Sequence, residues 1–144
     1  MADPALELDL STQQALATAR QKAMNQYGQK KAQLGFQRSA LDATHNQSQA
    51  EMGLQWDRYR TRLPGRFAGR GLLNSGIYHQ GLQDYAVDRG NAYTKALMGY
   101  QQQVGGLDLS GRGLEQDYAD SMATIAAQEQ LARSQVAAAL RGLL

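Results

Sequence analysis

Three observations predict that the chain is all-α. Glutamine, alanine, leucine and arginine form the bulk of the 144 residues, with 19 glutamines alone, and all four are good helix formers. Valine occurs at only three positions and isoleucine at two, which argues against β-sheet. Only 7% of the residues are aromatic, so few large side chains are present to build a deep core. We therefore predict elongated helices that pack as a helical bundle or coiled coil with partner subunits.

The first predicted element is a short N-terminal docking arm over residues 1–10. Leu6, Leu8 and Leu10 alternate there with acidic residues, and nothing nearby in the sequence covers them. Either the three leucines dock onto a partner or they fold back onto the helices of the same chain. The sequence leaves both interpretations open.

The second element is a long helix over residues 11–62. Ser11 and Gln14 fit a capping box at its start. Several of its apolar residues are spaced by 11: Leu16 and Tyr27, and then Leu41, Met52 and Leu63. An 11-residue period corresponds to a nearly straight or slightly right-handed helix. The polar stretch over residues 42–49 is the expected weak point of this helix.

The third element is an Arg/Gly loop over residues 63–75, because Pro64 and the glycines that follow it are strong helix breakers. A C-terminal helical pair over residues 76–144 comes next. We expect its two helices to separate at Gly105 and Gly106. The predicted architecture is thus one long N-terminal helix, a Pro/Gly loop and two further helices.

Arginines are concentrated around the predicted loop, where five occur within 13 residues: Arg58, Arg60, Arg62, Arg66 and Arg70. Tyr59 and Phe67 are interleaved with them. Three interpretations of these arginines are open. They pair with carboxylates of a neighbouring subunit, they contact nucleic-acid phosphates, or they belong to a solvated basic loop. The near balance of 15 basic and 13 acidic residues favours subunit pairing over nucleic acid.

Four tyrosines follow the loop at spacings of 7, 8 and 7 residues: Tyr78, Tyr85, Tyr93 and Tyr100. Aromatic residues at helical spacing usually form a buried seam with the hydroxyls at its rim. A stacking platform for bases is the alternative. We predict that these tyrosines, the arm leucines, Phe67 and Arg58, Arg62, Arg66 and Arg70 form partner interfaces.

Motifs for catalysis, metal binding and cofactor binding are not found in the sequence. The chain has no cysteine, and its two histidines, His45 and His79, lack metal-ligand spacing. We expect no catalytic residue, no metal and no cofactor, and therefore no enzymatic activity. The N-terminus lacks the basic and apolar regions of a signal peptide. No apolar run is long enough for a transmembrane segment.

The segment from Arg66 to Tyr78, Arg-Phe-Ala-Gly-Arg-Gly-Leu-Leu-Asn-Ser-Gly-Ile-Tyr, together with the glutamine- and alanine-rich helices, resembles small virion structural proteins of tailed bacteriophages. This resemblance implies a non-enzymatic tail, head–tail connector or internal ejection component in several symmetric copies. It implies a particle component that is made in the host cytoplasm and is not secreted.

The leading functional hypothesis is a homo-oligomeric phage structural protein that also contacts other virion proteins. The alternative is a DNA-ejection or internal virion protein that lines an envelope channel or contacts DNA. Amphipathic helices with small residues are compatible with that alternative.

Overall fold

A computed structural model describes residues 9–69, 71 and 76–143 of the chain. Two helices account for nearly all of these residues: α1 over Leu10–Ala68 (59 residues) and α2 over Gly76–Gly142 (67 residues). The part of the chain that the structure describes contains no strand. The all-α prediction is therefore confirmed.

The chain divides into two compact units, and each contains a segment of both helices. Unit 1 comprises Met1–Gly35 and Asp108–Leu144, and unit 2 comprises Phe36–Leu107. Within each unit the α1 and α2 segments run antiparallel. Contacts in unit 1 join Tyr27 to Tyr118, and contacts in unit 2 join Phe67 to Tyr78.

Unit 1 has a small aliphatic core. Leu16 of α1 and Ile125 of α2 are buried, and the partly buried side chains around them are mainly alanines, with one methionine and one valine. The rings of Tyr27 and Tyr118 stack nearby, with centroids 4.5 Å apart. Because small side chains fill most of this core, it buries little apolar surface.

Unit 2 has an aromatic core near the end of α1. Leu63 is 3% exposed and Tyr85 is 7% exposed. Trp56 packs edge-on against Tyr85 with a centroid distance of 5.6 Å, and Tyr59 stacks on Tyr85 at 5.8 Å. The Tyr85 hydroxyl donates a hydrogen bond to the Trp56 carbonyl oxygen at 3.2 Å, which satisfies the polar end of the ring.

The start of α1 differs from the predicted capping box. Ser11 lies inside the helix, and Asp9 precedes it as the capping residue. The Asp9 carboxylate accepts hydrogen bonds from the Ser11 backbone N–H and the Ser11 hydroxyl, and its carbonyl accepts the Gln13 N–H at 2.9 Å. The bond from the Ser11 hydroxyl, and then that from the Ser11 N–H, lower the pKa of the Asp9 carboxyl. A carboxylate suits this position because it offsets the positive end of the helix dipole.

The end of α1 also differs from the prediction, because the helix continues past residue 62 and Pro64 to Ala68. Proline removes one backbone hydrogen bond from a helix interior. Here Leu63 is buried and Phe67 packs against α2, so continuing the helix gains apolar contacts on both sides of the proline. The turn after Ala68 includes Gly71, whose φ of 68° favours glycine and whose N–H donates to the Ala68 carbonyl.

The prediction of a break at Gly105 and Gly106 is wrong. A single helix, α2, replaces the two predicted helices. Each helical glycine costs about 1 kcal/mol relative to alanine. Val104 and Leu107 on either side of the pair are partly buried, so a helix that stops here would lose the packing of both side chains. The polar stretch over residues 42–49 is likewise helical.

Burial along both helices follows the 11-residue spacing. Leu16 and Leu63 are buried, and the other members of the predicted series, Tyr27, Leu41 and Met52, are partly buried. The same spacing recurs in α2 among residues that are all buried or partly buried: Tyr85, Ala96, Leu107, Tyr118, Glu129 and Leu140. The side of each helix that faces the other helix therefore repeats every three turns.

Candidate interaction surfaces

An open cleft of about 510 Å³ lies beside the aromatic core of unit 2. Its lining combines aromatic rings with groups of opposite charge: Tyr59, Leu63, Arg66, Phe67, Gly81, Asp84, Tyr85 and Asp88. The Arg66 guanidinium lies 5.5 Å from the centre of the Tyr59 ring, in a cation–π contact. The cleft thus has an aromatic floor, a cation from α1 and two carboxylates from α2.

Four of the clustered arginines lie on the last turns of α1. Arg58, Arg60, Arg62 and Arg66 are exposed, and among the described residues none of the four forms an ion pair. Arg58, Arg62 and Arg66 follow each other at intervals of four residues, so they share one side of the helix. Arg70 lies outside the described residues.

Phe67 of α1 lies close to Gly81 of α2 at this end of unit 2. Phe67 is partly buried and meets Tyr78 edge-on at 5.3 Å. A Cβ atom at Gly81 would lie 3.0 Å from Cζ of Phe67. Glycine at residue 81 therefore makes room for the phenylalanine ring, a role that the sequence did not reveal.

A polar network bridges the two helices elsewhere in unit 2. The Tyr100 hydroxyl donates to Oδ1 of Asp42 at 2.5 Å, and Arg38 Nε donates to the same oxygen at 3.2 Å. The His45 ring stacks on Tyr100 with centroids 4.0 Å apart. The hydrogen bond from Tyr100, and then that from Arg38, lower the pKa of Asp42, and the bond to Asp42 raises the pKa of Tyr100.

Sequence reasoning missed this network. The spacing of Arg38 and Asp42 by four residues was a usable signal, but the spacing alone did not predict that Tyr100 lies opposite Asp42. The polar stretch that includes Asp42 and His45 was interpreted as a weak point of the helix. In the structure these two side chains contact α2 instead.

Unit 1 contains an ion network and a second cleft. Glu129 forms ion pairs with Arg20 of α1 and Arg133 of α2. The hydrogen bond from Arg133, and then that from Arg20, lower the pKa of Glu129. The second cleft measures about 550 Å³. Its lining is made of small, polar and charged side chains from both helices: Ala19, Lys22, Ala23, Gln26, Asp117, Asp120, Ser121, Thr124, Ile125 and Gln128.

The predicted interface residues fall into three groups. Leu6, Leu8 and Arg70 lie outside the described residues. Leu10 is the first residue of α1 and is 67% exposed, and Arg58, Arg62 and Arg66 are also exposed. Tyr85 is buried, and Phe67 and the remaining tyrosines are partly buried, within unit 2: Tyr78, Tyr93 and Tyr100. The structure therefore packs the four tyrosines against α1 and Phe67 against α2, and it leaves the arginines at the surface.

Large apolar side chains are also exposed on both helices. In unit 2 they include Phe36 (76% exposed), Leu54, Val87 and Met98. Val87 lies two residues after Tyr85, and Met98 lies two residues after the seam residue Ala96. Two residues turn a helix through about 200°. The side chains of Val87 and Met98 therefore point away from the other helix of the unit.

Comparisons with protein-family models, curated proteins and solved structures found no match to this chain. Within residues 9–69, 71 and 76–143, neither helix has a stretch apolar enough to cross a membrane. The same residues contain no cluster of three or more potential metal ligands.

Proposed function

We propose that the chain is a non-enzymatic structural subunit that assembles with copies of itself through the outer sides of its helices. The observation that supports this proposal is that exposed large hydrophobic residues outnumber buried ones. Among the residues that the structure describes, four hydrophobic residues are buried, whereas twelve large hydrophobic residues are exposed. Isolated exposed apolar residues are common on monomers. Here, however, Val87 and Met98 repeat at the 11-residue spacing of the seam, which is typical of a second packing face.

The particle in which such a subunit acts is a further part of the proposal. The resemblance of residues 66–78 to tailed-phage structural proteins supports a tail, connector or internal component of a virion. Homo-oligomers with closed symmetry are the usual way to cover such repeated faces. Contacts with other virion proteins would use the remaining exposed apolar residues, such as Phe36 and Leu54.

The mass of the chain in solution tests the assembly proposal. We expect light scattering to give a multimer whose mass rises with concentration, and circular dichroism to show a helical chain. Val87→Gln with Met98→Gln should reduce the association and leave the helicity unchanged, because both side chains are exposed in the single chain. Gln83→Ala with Gln101→Ala is the matched control, since both residues are exposed on α2. A helical monomer at every concentration would contradict the proposal.

A second candidate function is contact with nucleic acid. The observation that favours it is the exposure of Arg58, Arg62 and Arg66 on one side of α1, without ion pairs among the described residues. Phosphate contacts make binding strongly dependent on salt. A gel-shift series from low to high salt should show binding that the triple Arg→Gln variant loses. No shift at low salt would remove this candidate.

A further inference from the structure

The cleft of unit 1 has an apolar floor between rims of opposite charge. Ala19 and Ala23 of α1 and Ile125 of α2 form the floor. Lys22 stands on the α1 side, and Asp117 and Asp120 stand on the α2 side. This arrangement offers one cationic and one anionic edge along the same groove between the helices.

The two helix segments of unit 1 also differ in overall charge. Residues 10–35 of α1 contain four basic residues and no acidic one, whereas residues 108–142 of α2 contain five acidic and three basic residues. Arg20 of the basic segment and Glu129 of the acidic segment form an ion pair within the chain. Among the described residues, Lys22, Asp117 and Asp120 form no ion pair, so the charges on the cleft rims are available to a partner.

We infer that a second copy of the chain packs on this cleft, with Lys22 of each copy against Asp117 and Asp120 of the other. This inference rests on the proposed assembly function and adds an interface in unit 1 to the packing face proposed at Val87 and Met98. A two-fold axis parallel to the helices would place α1 of one copy beside α2 of the other. The lysine rim would then meet the aspartate rim twice, which makes the surface self-complementary. In the resulting bundle of four helices, two from each copy, every helix would run antiparallel to its neighbours.

The register within unit 1 supports this pairing. Lys22 and Asp120 line the same cleft and lie within about one helical turn of the same level along the helix pair, because Lys22 is five residues before Tyr27 and Asp120 is two residues after Tyr118, on which Tyr27 stacks. Rotation about an axis parallel to the helices preserves that level. A two-fold axis perpendicular to the helices at this level would instead bring Lys22 against the second copy of Lys22. Repulsion between like charges disfavours that alternative.

The available surface is large enough for a stable dimer. The α1 segment of unit 1 is about 40 Å long at 1.5 Å per residue, and two helices packed 8–10 Å apart present a face roughly 18 Å wide. The resulting area of roughly 700 Å² per copy approaches the ~800 Å² of a standard interface. Leu131, 60% exposed and 11 residues after Asp120, extends the apolar part of this surface at its edge.

Complementary charge reversal tests the inference. Lys22→Glu and Asp120→Lys, each alone, place like charges against each other twice in the dimer. We expect each variant to associate at least about tenfold more weakly than the wild type. An equimolar mixture of the two variants should recover much of the association, because both contacts between positions 22 and 120 are then between opposite charges and only one like-charge contact, with Asp117, remains. Sedimentation velocity at matched concentrations measures all three samples.

Arg112→Glu and Glu115→Lys are the matched controls. Both residues are exposed in unit 1 outside the lining of the cleft, and the substitutions make the same changes in charge. They should associate like the wild type. Recovery only in the mixture of the two rim variants also excludes an attraction between Lys22 and Asp120 within one chain, since mixing would not repair it.

Three results would contradict the inference. The first is that the rim variants associate like the wild type, and the second is that their mixture stays as weak as the separate samples. The third is that wild-type association does not weaken as salt rises from 50 to 500 mM. The salt series uses only the wild type, so it tests the inference even if a variant loses helicity. In each case a wild-type multimer would leave the proposed function standing. A wild-type monomer at all concentrations would instead overturn both proposals.

Discussion

The two units use different side chains for the same task of joining α1 to α2. Unit 1 relies on Leu16, Ile125 and small alanines, with the ion pairs of Glu129 beside them. Unit 2 relies on aromatic rings, and the Tyr85 hydroxyl also donates a hydrogen bond to the backbone carbonyl of Trp56. Aromatic side chains bury far more surface than alanines and restrict ring orientation.

This difference indicates which unit depends more on a partner. In unit 2 the tyrosine hydroxyls reach groups on the other helix, as Tyr100 reaches Asp42, so the register of the helices is fixed within the chain. In unit 1 the small side chains leave a cleft with Lys22 and Asp120 at its rims. We therefore expect unit 2 to be the more stable in a single chain and unit 1 to gain more from assembly.

The largest expected effect is the loss of the central ring in unit 2. Tyr85→Ala should destabilise the chain by about 3 kcal/mol, because it removes a buried ring that contacts Trp56 and Tyr59. Ile125→Ala in unit 1 should cost about 2 kcal/mol. Urea denaturation of both variants measures the difference. Tyr85→Phe is the control for the hydroxyl and should cost only about 1 kcal/mol. An Ile125→Ala variant that is less stable than Tyr85→Ala would reverse the comparison.

Glycine replacements test how tightly the helices approach each other. Gly99→Ala should stabilise α2 by about 1 kcal/mol, because a Cβ there meets nothing within 4 Å and alanine is the better helix former. At Gly81 the added Cβ would lie 3.0 Å from the Phe67 ring, and the crowding should cancel that gain or exceed it. Thermal denaturation gives both values. Equal stabilisation by the two substitutions would show that Phe67 does not pack closely on Gly81.

Acid should weaken both units through their carboxylates. The pKa of Asp42 in unit 2 and of Glu129 in unit 1 is lowered in the folded chain. Their stabilising effect is therefore present above about pH 4, the ordinary range of these groups, and is lost as the pH falls through the folded pKa.

Asp42→Asn and Glu129→Gln should each flatten the decline of the melting temperature below pH 4. Hydrogen exchange at several pH values assigns the effect of each variant to its unit. A decline as steep as that of the wild type in both variants would mean that other groups cause it.

The smallest expected effect concerns the first turn of α1. Asp9→Ala removes the acceptor of the Ser11 N–H, so amide exchange should accelerate over the first turn and stay unchanged in unit 2. Asp9→Asn retains a capping oxygen and should preserve most of the protection. Exchange that accelerates equally in both units would show that the cap affects more than the local helix.

The sequence alone predicted the helical class and the residues of the seam. Residues such as Leu16, Tyr27 and Met52 revealed their shared side by an 11-residue spacing, because helix geometry converts spacing directly into direction. The same local reasoning failed at Pro64 and at Gly105–Gly106, where it predicted helix ends.

Tertiary packing decided those positions and the candidate surfaces. The local cost of a proline or glycine in a helix is a few kcal/mol at most, and burial of neighbours such as Leu63, Val104 and Leu107 opposes it only once the other helix is in place. The contact between Tyr100 and Asp42, 58 residues apart, and the charged rims of the unit 1 cleft depend in the same way on which residues of α1 and α2 lie at one level. Local propensity contains no information on that register, because the register results from contacts between residues far apart in the chain.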